Sequence, residues 1–125
     1  MKTTVIFTLD NTVDTTESQA VEVPSWAKAA ALFVPNIAAG AVTMKFMHND
    51  DATAAKLVAD QNTDWNPVEV AIDSVDSLTE VMASGDDPTW VDITAFIRGL
   101  GEGYVRFTTA GTQNAITSWM IVFSD

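Results

Sequence analysis

Few residues in this chain have the chemistry to act on a substrate. Its one histidine, His48, stands beside Asn49, Asp50 and Asp51. An imidazole next to three oxygen-bearing side chains suggests a divalent-cation site with the ligands that calcium prefers. The run lacks the Asp-x-Asp-x-Asp-Gly spacing and the distal Glu of an EF-hand loop, and a solvated turn after a strand accounts for the same residues. Asp86-Asp87 before Pro88 reads as a turn on the same grounds. Paired-carboxylate catalysis needs two acids with separated roles, whereas the seventeen Asp and Glu are scattered singly through turns and exposed strand positions. With no cysteine and one histidine, thiolate catalysis, cysteine-based zinc sites and nucleophile–base pairs all lack a part. Gly99-Leu100-Gly101-Glu102-Gly103 mimics a phosphate loop, yet it leads into a strand instead of opening a helix. The expectation is a protein that is not an enzyme, with no catalytic residue, no metal and no cofactor.

The aromatic residues offer binding in place of catalysis. Of the four tryptophans, Trp26 follows Pro24-Ser25 and Trp65 precedes Asn66-Pro67, so both are expected in turns. There they are candidates for stacking on sugars or for protein contact, where Trp is enriched at hot spots. Trp119 belongs to the most apolar run in the chain, Ile116 to Phe123. One alternate set of that run is Thr117, Trp119, Ile121 and Phe123; the other is Ser118, Met120 and Val122. Both sets are largely apolar, so the strand is either central in its sheet or partly covered by a neighbouring subunit. We adopt the covered alternative, which adds Trp119, Met120 and Val122 to the contact candidates and implies a homo-oligomer.

The elements that must position these residues are β-strands. The 125 residues are 47% hydrophobic, which suits one globular domain over 1–125. A net charge of -11 repels phosphates and anionic lipid, so neither nucleic acid nor membrane is an expected partner. No stretch approaches the roughly 20 apolar residues of a membrane span, and the N-terminus does not read as a signal peptide, which implies synthesis in a cytoplasm. Strands are expected at Thr4 to Thr8, Gln19 to Val23, Ala29 to Val34, Ala41 to Met47, Val68 to Ile72, Leu78 to Ala83 and Trp90 to Ile93. Ala52 to Asp60 reads as a short helix capped by Asp51 or as an irregular β excursion, and Thr94 is expected to cap a helical turn closed by Gly99. Gly103 to Phe107 and Ile116 to Phe123 are expected to form a C-terminal hairpin. About eight short strands with turns at this spacing, and one or two helical turns, predict an all-β, single-domain antiparallel β-sandwich, jelly-roll-like if the two terminal strands pair.

The order Leu32-Phe33-Val34-Pro35, Gly40-Ala41-Val42-Thr43-Met44-Lys45-Phe46, Trp65-Asn66-Pro67-Val68, and then Phe96 through Tyr104-Val105-Arg106-Phe107, resembles small β-sandwiches among tailed-phage structural proteins. Proteins of that kind are head decoration or other auxiliary virion proteins. The resemblance implies a capsid decoration protein on the outer surface of a phage head, bound to the major capsid protein or other virion proteins and stabilising the shell. A tail or neck structural protein, and a carbohydrate-binding module or glycan adhesin using Trp26 and Trp65, are the alternatives.

Overall fold

In a computed structural model the chain is described over residues 1–9, 17–35, 41–57, 64–71, 73–82, 88–109 and 118–125. The strands are β1 (Lys2–Phe7), β2 (Val21–Val23), β3 (Ala29–Val34), β4 (Val42–His48), β5 (Asn66–Pro67), β6 (Val70–Ala71), β7 (Ser77–Leu78), β8 (Glu80–Met82), β9 (Thr89–Asp92), β10 (Gly103–Thr109) and β11 (Trp119–Ser124). One helical turn, α1 (Thr94–Ile97), and a 3-10 turn, Asn49–Asp51, complete the described elements.

Two antiparallel sheets carry the fold. The first has the order β1-β11-β3-β9; in the second β2, β10 and β4 lie side by side, with β5 and β8 both pairing β4. Among the eight strands of these two layers other than β5, the chain changes sheet at every connection except β4 to β8, which are neighbours. That alternation is a jelly roll, two Greek keys wound into one sandwich. The terminal strands pair as expected, from Lys2 opposite Ser124 to Phe7 opposite Trp119.

The alternation of side chains explains the layering. In β11, Trp119, Ile121 and Phe123 are buried while Met120, Val122 and Ser124 are half-buried on the other face. In β4, Val42 and Met44 point into the core, and Thr43 and Lys45 point away. Phe7 and Phe107 stack between the two sheets at 5.6 Å, and the Phe107 ring lies 6.5 Å from that of Trp119.

The predicted C-terminal hairpin does not form. Gly103–Thr109 pairs with β2 and β4, and Trp119–Ser124 pairs with β1 and β3, in the opposite sheet. Both strands carry large inward aromatics, and facing each other across the core buries Phe107 against Trp119 as side-by-side pairing would not. Residues 110–117, which include the first two of the expected final strand, lie outside the described residues, as do 58–63. The described part of Ala52 to Asp60 forms turns and no helix, with the Leu57 amide bonded to the Thr53 carbonyl. Thr94 does not cap α1 through its side chain. Its hydroxyl reaches across to the backbone of Ala30, and Asp92 Oδ1 accepts the Thr94 amide instead. Gly99 does follow the helical turn with φ of 80°, a backbone that favours glycine.

Gly103 is needed for a different reason. A Cβ there would stand 2.3 Å from the Met47 carbonyl oxygen and 2.5 Å from the Phe46 ring, so β10 approaches β4 through glycine alone.

Candidate functional site

A sandwich has two outer faces, and this chain treats them differently. The outer face of the second sheet is covered from within. Tyr104, Arg106 and Thr108 of β10 and Thr43, Lys45 and Met47 of β4 point that way, in register. Met47 and Arg106 are nonetheless fully buried. The connection from β4 to β8 lies over Arg106: Trp65 sits with its ring centroid 4.6 Å from the guanidinium, and its Nε1–H donates to the Lys56 carbonyl at 2.8 Å. Glu17, alongside β10, accepts from both Arg106 Nη2 and Lys45 Nζ at 3.3 Å. A buried guanidinium is held by a carboxylate and a stacked indole, a pairing to which its planar fork is suited. Lys56 and Asp64 form an ion pair in the same connection, and that hydrogen bond holds the Lys56 amine above its ordinary pKa.

The outer face of the first sheet has no such cover among the described residues. Ile6 stands opposite Met120, Met120 opposite Phe33, and Phe33 opposite Trp90. One residue from each of four strands therefore lines up in a single apolar row, about 14 Å from end to end at the usual strand spacing. Ile6 is 65% exposed and Trp90 54%, against Met120 and Phe33 half-buried between them. The Phe33 and Trp90 rings lie 5.2 Å apart. Beside this ridge the outward residues are small. Ala29, Ala31, Val122 and Ser124, with Lys2 and Asp92 at the two sides, line a shallow hollow of about 400 Å³.

The structure distributes the sequence candidates unevenly. Met120 belongs to the ridge and Val122 to the hollow. Trp119, their neighbour, points the other way and is buried in the core. Trp65, expected in an exposed turn, is 6% exposed because it roofs Arg106. Trp26 is half-buried against the core. The tryptophan with an open ring is Trp90, which the sequence reading passed over. Its signal was present: Trp90 and Asp92 share one face of β9, and an aspartate marks that face as outward. Ile6 could have been found the same way, since it alternates with Val5 and Phe7 and shares its face with Thr4.

The groups singled out for chemistry do local work. His48 Nδ1 accepts the Asp50 amide at 3.2 Å and so caps its own 3-10 turn. Asp92 is held below its usual pKa by the Thr94 hydroxyl and amide, and Asp73 by the amides of Val75 and Asp76. Asp125 is lowered by its hydrogen bond to the N-terminal ammonium, 2.6 Å away. Among the described residues no three His, Asp or Glu side chains converge as metal ligands. A groove of about 490 Å³ at one end of the sandwich is lined by Val23, Ala27 and Ile97 together with Lys28, Arg98 and Glu102, so it carries both signs of charge. No described helix is long and apolar enough to cross a membrane.

No family model, curated protein or solved structure matches the chain.

Proposed function

We propose that this protein is a non-enzymatic structural component that works by docking the outer face of its first sheet against another protein. The row Ile6–Met120–Phe33–Trp90 carries this reading. Leaving four large apolar side chains side by side in water is unfavourable, and contiguous apolar patches on soluble proteins mark contact sites. The chain covers Arg106 on its other outer face with its own Trp65, whereas no described residue covers this one. Aromatic and Met side chains at the centre of a patch with few charges suit the core of a protein interface.

The resemblance to auxiliary virion proteins supplies the setting: decoration of the outer surface of a phage head, with the major capsid protein or another virion protein as neighbour. A strongly acidic exterior suits a place outside the shell, away from packaged DNA. The test mixes purified protein with undecorated heads of the encoding phage and follows co-sedimentation. Stoichiometric binding is expected, lost in Trp90→Lys. No binding to heads removes the decoration setting, and binding that Trp90→Lys leaves unchanged removes the docking face. Glycan binding through Trp26 and Trp65 draws less support, because Trp65 is buried under its own contacts and Trp26 is packed on the core.

A further inference from the structure

The open face is self-complementary, and the geometry points to a second copy of this chain as its occupant, packed face to face about a two-fold axis. This rests on the docking face proposed above, but not on its virion setting; in free solution the second copy holds the face, and the pair opens where a particle neighbour takes its place. Ridge and hollow lie side by side on the same four strands: Ile6, Met120, Phe33 and Trp90 form the ridge, and Lys2, Val122, Ser124, Ala29, Ala31 and Asp92, further along those strands, line the hollow. Outward residues on one strand are about 7 Å apart, so the ridge and the middle of the hollow are separated by roughly 10 Å. A two-fold axis in the plane of contact, running across the strands midway between them, brings each ridge over the other copy's hollow. Phe33 of one copy then sits over Ala29 and Ala31 of the other, and Met120 over Val122 and Ser124, with the same contacts repeated in reverse. Such isologous packing needs a bulky set and a small set on one patch, as found here.

Charge favours the same occupant. The molecule as a whole carries -11, which opposes association between copies through most of its surface. This face carries Lys2 and Asp92, one of each sign, and is otherwise apolar, Thr or Ser. Two copies meeting here bring no net charge together and keep their acidic surfaces apart. Under this axis the Asp92 carboxylate of each copy also comes near Trp90 of the other, whose indole N–H is a donor. The extent of the face bounds the affinity. Three strands of six residues and one of four cover roughly 350 Å² in projection per copy, below the ~800 Å² per partner of a standard interface. The pair is therefore concentration-dependent.

Sedimentation velocity on the full chain across a wide concentration range tests this, with two variants. Wild type is expected to shift from monomer to dimer and no further. Phe33→Thr removes the central knob. Ala31→Leu adds apolar surface yet fills the hollow. Each is expected to weaken the dimer by about tenfold or more, the equivalent of about 1.4 kcal/mol. The second variant separates fitted packing from general stickiness, which extra apolar surface would increase. A chain that stays monomeric at every concentration, larger open-ended species, or an Ala31→Leu variant that pairs as well as wild type overturns the pairing. A monomer that still binds particles through Trp90 would overturn the pairing and leave the docking function standing; a dimer that binds no particle would keep the pairing and the docking face and remove the virion setting.

Discussion

The outer faces of the two sheets start from the same backbone geometry and end differently. On the second sheet, outward-pointing Arg106 is fully buried because the connection between β4 and β8 lays Trp65 over its guanidinium. On the first, outward-pointing Ile6 and Trp90 are among the most exposed large apolar side chains in the molecule. Polar chemistry therefore lies under the covered face, and apolar chemistry on the open one. The difference teaches that exposure here is set by topology and not by residue type. A guanidinium is buried where a connection lays an indole over it, and another indole is open where no described residue covers it.

The largest effect is expected on the covered face. Replacing Glu17 with Ala leaves the Arg106 charge without its carboxylate, and loss of one partner of a buried pair costs about 3–5 kcal/mol. Urea unfolding should show that loss. A variant within 0.5 kcal/mol of wild type would mean that Glu17 does not hold the guanidinium. Trp65→Ala is expected to cost a similar ~3–5 kcal/mol and to turn the covered face into a second open one. A dye that fluoresces on apolar surface should then bind more strongly; unchanged dye binding would mean the connection covers the sheet without Trp65.

Next comes the contact between β10 and β4 on which the covered face is built. Gly103→Ala should destabilise by about 1–3 kcal/mol, since the new methyl collides with backbone and with the Phe46 ring. The open face should behave in the opposite way. Trp90→Lys is expected to change stability by no more than about 0.5 kcal/mol, because the ring is more than half exposed and its one ring contact among the described residues is with Phe33. Dye binding should fall. Calorimetry showing a large loss would make Trp90 part of the core and end the contrast between the faces.

The smallest effect concerns acid. Asp92 is held below its ordinary pKa by Thr94, so its carboxylate form is favoured in the folded state. Such a group adds stability above its unfolded pKa, about 3.9, and that contribution is lost as pH falls through the lower folded value. Asp92→Asn, which keeps the size of the side chain, should therefore flatten the fall in stability below about pH 4 and leave the shape of the curve near pH 7 unchanged. Asp73 and Asp125 act in the same direction, so the variant should remove only part of the slope.

Much of the fold was legible in local pattern. Ala29 to Val34 is a strand with the bounds its flanking prolines imply, despite three consecutive alanines. The alternation of Val42, Met44 and Phe46 with Thr43 and Lys45 places β4 correctly with one face inward. Met120 and Val122 were legible as one face of the last strand, and that face is the open one. Other features were not, because they depend on residues far apart in the chain. Arg106 alternates with Val105 and Phe107 as an exposed residue would, and its burial depends on Trp65 and Glu17, forty or more positions away. The same distance hid the ridge, whose four members come from four strands and meet only through sheet register.

Local pattern and composition are enough to read an all-β chain of strongly acidic composition, and to say which alternate residues of each strand belong together. Period-2 patterning is a property of neighbours, and composition needs no fold. Tertiary structure decided that the last two strands face each other across the core instead of pairing, that one outer face is roofed, and that Ile6, Met120, Phe33 and Trp90 form one row. Strand alternation says which side of a sheet a residue takes; only the closing of the jelly roll says what, if anything, lies on that side.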